Sequence, residues 1–491
     1  MKIAFIYPDF ESLGIEYLMA VCRRDGHEAQ LISYLAEDLF FNRVRTDVPF
    51  DDIADQAIRS SVQVCAFSCV TENYQMQLAC ARALKKKAPH IVTIFGGVHP
   101  TAVPHRVLAN PEVDCVAIGE AEVSFADLLE AGLVSSGRFT FPDVPVPGIV
   151  FKKSGRLVGD VVEGPLADLD SLPFPAKEDF AEKEPKVFHE YQIMTSRGCP
   201  YKCSYCFNSQ MFGLCGKVLL RQRSVENVIA ELKRVKERHS LKYVMFVDDS
   251  FTTNTQWVME FCRRYKDEIC LPFSCIANPF YLNKEKASAL RSAGCVAVQI
   301  GVQSLSEDIC ETILLRKSDT GKIAQVLDDM RELGIMVQVD HMLGIPGERI
   351  EQQEESIRFY NEHRPGSILV FWLTYYPKTE IVEMMRRRGL ISDEDLEKLE
   401  EGYRDAGDSY LLSGKAVDPS PFYSTAFLLA WLPIFPRFFV RFLIDSRFYR
   451  LLQVKSHLFN VAFPRAIIAL TDARDIRGRS HVFRFLKGGT K

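Results

Sequence analysis

No stretch of this 491-residue chain reaches the ~18 to 20 consecutive apolar residues that a membrane-spanning helix requires. The nearest approach, Ala426 to Ile444, is broken by Pro433, Pro436, Arg437 and Arg441. Excess charge is also missing: a net −4 leaves no general attraction to nucleic acid, and none is expected as a partner. The opening MKIAFIYPDF lacks a basic stretch ahead of an apolar one, so no secretory leader is expected. Fourteen cysteines over this length are too dilute for a disulfide scaffold. They point to a reduced, cytoplasmic setting, where clustered thiols bind metal and scattered ones pack. Internal repeats of about 20 to 50 residues are absent, and no Gly-x-Gly-x-x-Gly follows the first strand, which excludes the dinucleotide fingerprint.

With 47% hydrophobic residues the chain can bury two or three domains. Over residues 1–140, short apolar runs (KIAFIYP, AQLISYL, VQVCAFSCV, IVTIFGGV, VDCVAIGE) alternate with segments of helical period, which predicts an α/β domain with a doubly wound parallel sheet. Residues 141–188, rich in Pro, Asp and Glu, read as a linker with one hairpin. Alternation resumes over 189–402, with strands at YQIMTS, KYVMFVDD, PFSCIAN, VAVQIGVQS, MVQVDHMLG and ILVFWLTYY. Six βα units in series make a partial (β/α)6 barrel with its chemistry at the strand C-termini. Residues 403–491 read as a helical, aromatic and basic region, with twelve Arg and Lys against three Asp from Ile434 onward. A helical cap over the barrel mouth and a surface for anionic lipid both fit that composition.

The motif TSRGCPYKCSYCFNSQ places Cys199, Cys203 and Cys206 just past the first barrel strand. Three thiolates can hold three irons of a cubane cluster and leave the fourth for a substrate. Closure by Cys215, or a structural zinc site, is the alternative, although zinc favours a closed set of four ligands.

At these residues the sequence resembles the radical S-adenosylmethionine (SAM) enzymes, and the resemblance extends along the barrel. It implies Cys199, Cys203 and Cys206 as ligands of a [4Fe-4S] cluster. It also implies SAM contacts from Tyr205, from Asp248 and Asp249 in FVDDSF, from Gln303 and Ser304 in QIGVQS, and from Gly344 and Gly347 in LGIPGE. Helix capping by Asp249 or Ser250 is the plainer alternative, and His341 either points into the barrel or packs as a satisfied core histidine. The amino-terminal region is similar to the cobalamin-binding modules fused to such barrels. The resemblance places Asp9, Glu11, Gly14, Ser68, Thr71, Gly96, Gly97, His99, Gly119 and Glu120 at cobalamin, with Glu11 standing where the family's histidine would be. A domain that survives only as a scaffold is the competing reading.

The resemblance implies an enzyme that cleaves SAM reductively to a 5′-deoxyadenosyl radical and methylates an unactivated carbon of a small or lipid-like substrate. A cyclase or rearrangement enzyme using the same cofactors is the alternative, and a non-catalytic iron–sulfur or corrinoid carrier is the alternative from another class. A low-potential electron donor such as flavodoxin or ferredoxin is the expected partner, and peripheral membrane contact at the inner face is compatible with the basic terminus.

Overall fold

The computed structural model describes residues 1–35, 37–38, 43–44, 48–209, 220–402, 422–452, 454 and 463–472. Five parallel strands of the first sheet lie in the spatial order Glu28–Tyr34, Lys2–Pro8, Val64–Ser68, Val92–Gly96 and Cys115–Ala117. The winding direction therefore reverses between Lys2–Pro8 and Val64–Ser68, and that reversal opens a crevice at the strand C-termini. Along Lys2–Pro8, Ile3, Phe5 and Tyr7 enter one apolar core while Ala4 and Ile6 enter another on the opposite face. Both faces are thus covered, as a parallel sheet requires.

The hairpin expected within the linker has a larger role than that reading gave it. Its strand Ile149–Lys153 pairs antiparallel with Cys115–Ala117, and Arg156–Val158 pairs antiparallel with Ile149–Lys153, which completes the seven strands of this sheet. Ile149, Val150 and Phe151 are buried on the two faces, so the amino-terminal unit continues beyond residue 140. The physical reason is the short apolar run GIVF, which only a sheet covered on both faces can accommodate.

The second sheet is wholly parallel, and its six strands follow chain order: Glu190–Ile193, Tyr243–Phe246, Phe273–Ala277, Cys295–Gln303, Met336–Leu343 and Ser367–Trp372. The intervening helices start where the sequence supplies caps. Ser224, Asn254, Asn283 and Asp319 each accept a hydrogen bond from a backbone N–H three residues on, each cap contributing about 1 kcal/mol. Because Asn254 caps the helix Thr255–Glu268, neither Asp249 nor Ser250 serves as its cap.

Two carboxy-terminal helices, Phe422–Trp431 and Arg437–Asp445, pack on the helix Ile350–His363, and the first also covers the last strand. Val440, Leu443 and Ile444 join the barrel core. These helices sit on the flank of the barrel; at its strand ends, Tyr423 meets Trp372 with ring centroids 5.4 Å apart.

Candidate functional site

The C-terminal ends of the two sheets face one another across a cavity of about 460 Å³. From the first domain it is lined by Gly14, Ser68, Gly96, Gly97, Gly119 and Glu120, and from the barrel by Cys199, Asn208 and Asp249. Its wall is largely apolar, with Phe5, Leu18, Phe67 and Met194 among the contributors. The crevice at the strand-order reversal and the cysteine loop therefore open onto one shared space.

Gly97 is needed by the backbone itself. With φ +97°, an added Cβ would lie 2.7 Å from the carbonyl oxygen of Cys69, whose N–H donates to the Gly96 carbonyl at 2.7 Å. Gly14 faces open space instead. Gly119 donates its N–H to Thr101 Oγ1 at 3.0 Å, which fixes the next loop.

Four of the expected cobalamin contacts do not line the cavity. Asp9 is exposed and donates its N–H to the Tyr34 carbonyl. Thr71 and His99 are buried together, Oγ1 to Nδ1 at 3.2 Å, and the imidazole lies on the Tyr74 ring at 4.3 Å. Burial pushes His99 down to about 4, so its ring is neutral. Glu11 is held by the ammonium of Lys177 and by Gln192 Nε2 at 2.8 Å. The Glu11 carboxylate is thus drawn into an ionic cluster with Lys177 and Glu16, the latter 2.9 Å from the Lys177 nitrogen.

Glu120 does face the cavity, bound by two arginines. Arg197 pairs with both Glu120 and Glu122, and Arg221 also pairs with Glu120. Burial would raise the Glu120 carboxyl, but the two guanidinium groups outweigh it and hold the pKa below its usual value. This cluster joins the first domain to the residues flanking the cysteine motif.

Cys203 is buried, whereas Cys199 and Cys206 are partly open. Burial pushes the Cys206 thiol up to about 12 and raises that of Cys199. Among the described residues no trio of His, Cys, Asp or Glu is gathered tightly enough for a single metal ion. A cubane instead presents each cysteine with its own iron, and the donor set of three thiols with mutually felt charges fits that group. Cys215 lies outside the described residues.

Arg316, which sequence reasoning missed, is the principal cation at the thiols. Its Nη1 lies 3.6 Å from Cys203 Sγ, and its Nη2 donates to the Gly301 carbonyl. The interactions with Tyr205 and Cys203 outweigh its burial and raise its pKa, so it stays charged. Only its position in LLRKSD, between the helix Glu307–Thr312 that follows the fourth strand and the helix Thr320–Glu332, could have signalled it. Tyr205 packs against the apolar cluster around Ile309 and Ile313.

The two aspartates of FVDDSF divide into different roles. Asp248 is fully buried, and its Oδ1 accepts from Thr195 N (2.9 Å), Thr195 Oγ1 (2.8 Å) and Ser196 Oγ (2.6 Å). It ties the end of the first strand to the second. Asp249 opens onto the cavity near the cysteine thiols, and burial raises its pKa against the opposing hydrogen bond with Asn208.

At the fourth strand the register shifts between Gly301 and Gln303, and Gln303 takes φ +70°. Its amide lies over Gly301, 2.8 Å from where a Cβ would be. Ser304 is buried and donates to Glu348 Oε1 at 2.7 Å. Gly344 and Gly347 have φ of +73° and +85°, and a Cβ on Gly344 would meet Trp372 at 3.0 Å. His341 is a satisfied core histidine, 3.0 Å from Tyr360 Oη and 2.9 Å from Gln353 Oε1.

Two family descriptions match the chain: B12 binding domain over residues 3–129 and Radical SAM superfamily over residues 193–360. An uncharacterized methyltransferase from Pyrococcus horikoshii is 28% identical over 403 residues, covering 78% of this chain and 83% of its own. The anaerobic magnesium-protoporphyrin IX monomethyl ester cyclase of Rubrivivax gelatinosus is 22% identical over 392 residues, covering 77% and 68%. The solved radical SAM methyltransferase TsrM from Kitasatospora setae, with cobalamin and a [4Fe-4S] cluster bound, superposes with a TM-score of 0.63 at 14% identity over 79% of this chain and 78% of its own.

Proposed function

Because this chain joins a B12 binding domain to a radical SAM domain and is a cobalamin-dependent radical SAM enzyme, we propose that it methylates an unactivated carbon of a small, largely apolar substrate. The single observation that carries this reading is the shared cavity, onto which the cobalamin crevice, Cys199 and Asp249 all open. When bound, the cluster supplies the electron that splits SAM, and cobalamin supplies the methyl group. A methyl donor and a hydrogen-abstracting group must reach the same carbon, and a common space permits that.

Cys199, Cys203 and Cys206 would hold the cluster, and Arg316 beside Cys203 offsets the negative charge gathered there. Asp249, which lines the cavity, would accept hydrogen bonds from the amino group of SAM, while Asp248 holds the loop on which it stands. Gln303, in its left-handed conformation with its amide over Gly301, would contact SAM at the end of the fourth strand. Gly14, Ser68, Gly96 and Gly119 would line the corrin, and the apolar wall excludes water from the reacting carbon.

The test is anaerobic turnover of the reconstituted protein with methyl-deuterated SAM, a reductant and a metabolite extract. Methylation yields S-adenosylhomocysteine together with 5′-deoxyadenosine, and the label enters a product. 5′-Deoxyadenosine alone, with no label transferred, favours the cyclase reading, which the relative from Rubrivivax gelatinosus supports. Absence of SAM cleavage favours a carrier.

A further inference from the structure

We propose that the helix Arg437–Asp445 and the turn after it form a docking surface for an anionic lipid bilayer, on which the enzyme lies without crossing it. The helix has two faces. Val440, Leu443 and Ile444 are buried against the barrel core, and the opposite face turns Phe438 (75% exposed) and Phe442 (58% exposed) to solvent. The turn Phe448–Leu451 packs beside the helix and adds Phe448 (51%) and Leu451 (74%). Leaving four large apolar side chains this open within fourteen residues costs solvation free energy that an ordinary surface avoids.

The charges on this face are almost all of one sign. Arg437, Arg441 and Arg447 are exposed between the rings. The helix carries one acid, Asp445, and Arg358 already engages it at 2.6 Å. Neutral hydrogen-bonding side chains, which a specific protein interface uses at its rim, are nearly absent: the segment from Arg437 to Leu451 contains only Ser446 and Tyr449, and Tyr449 is buried. Phenyl rings beside guanidinium groups match the bilayer interface, where rings enter the acyl boundary and cations meet lipid phosphates. The chain as a whole is acidic, so the attraction is local to this surface and depends on anionic lipid. No helix of the described residues is long and apolar enough to cross a membrane.

The experiment is vesicle flotation of the reconstituted full chain. Vesicles of phosphatidylcholine alone are compared with vesicles containing about 30% phosphatidylglycerol, at ~50 mM and ~500 mM salt. Binding to the anionic vesicles is expected to exceed that to neutral ones by ~10-fold at low salt and to weaken at high salt. The double substitution Phe438→Ser with Phe442→Ser should lower it by ~10-fold or more, and Arg441→Glu should remove the preference for phosphatidylglycerol. Both variants should retain wild-type SAM cleavage and melting temperature, which separates loss of docking from misfolding and from failure of the proposed reaction. Equal flotation of wild type and the Phe variant, or no flotation of wild type, overturns the proposal. So does a concentration-dependent dimer in sedimentation velocity that the Phe substitutions abolish, since that assigns the face to a second copy.

Discussion

Adjacent residues of identical type carry different duties here, and burial decides which. Asp248 spends one oxygen on three donors within the barrel, while Asp249 meets the cavity. Asp248→Ala therefore leaves three donors short of an acceptor and should destabilise the fold by about 3 kcal/mol, read as a lower denaturation midpoint. Asp249→Ala should change stability by only about 0.5 kcal/mol, yet weaken SAM binding by ~10-fold or more in equilibrium titration. Unchanged SAM affinity in the Asp249 variant would remove that residue from the site. The glycines divide in the same way. Gly97→Ala drives a Cβ against the Cys69 backbone at positive φ and should cost several kcal/mol, about the scale of a major steric defect. Gly14→Ala meets nothing within 4 Å, so its expected effect is on cobalamin retention, measured by corrin absorbance after gel filtration, with the melting temperature preserved.

At the scale of elements, the end of the strand Cys295–Gln303 combines a register shift with a left-handed glutamine. A side chain at φ +70° costs about 1 kcal/mol relative to glycine. Gln303→Gly should thus raise or preserve the melting temperature while slowing SAM cleavage, whereas a purely structural role would leave cleavage unchanged. The alternation of short apolar runs with helical segments made the six barrel strands and five parallel strands of the first sheet legible in the sequence, because period and length follow from backbone geometry. The cysteine triad was legible as a candidate from its spacing, and Asp249 as a candidate from the resemblance at a strand end; Cys199 and Asp249 line one cavity. Arg316, Lys177 and Arg197 were not legible, because their partners lie far away in sequence: Arg316 is 113 residues from Cys203, and Lys177 is 166 from Glu11. The hairpin Ile149–Val158 was misassigned to the linker because Pro and Gly around it mask which sheet it completes. His99 and Glu11 were placed by motif position, and motif position does not reveal the side-chain partner.

Across the whole molecule, buried ionisable groups set the response to pH, and their signs oppose one another. Burial pushes the carboxyls of Asp248 up to about 6 and Glu348 up to about 7, and raises Glu16 as well despite the neighbouring Lys177. Such groups bind protons more tightly in the folded chain, so their stabilising contribution is complete below the unfolded carboxyl value and is lost as pH rises through the folded one. His99 and His341 are pushed down to about 4 by burial and act the other way, with stability lost as pH falls from about 6.5 toward 4. Between about pH 4.5 and 6 the two sets largely cancel. Above about pH 6.5 the histidines of the unfolded chain lose their remaining charge, so their opposing contribution fades and the carboxyls dominate the slope. Wild-type stability should therefore fall between about pH 6.5 and 7.5, with Glu348 accounting for roughly 0.5 to 1 kcal/mol. Glu348→Gln keeps a hydrogen-bonding group for Ser304 and removes that titration, so its urea midpoint should fall less over the same interval. A variant with the wild-type slope would show that Glu348 is already ionised in the fold, and Ser304 would then be holding a charged carboxylate.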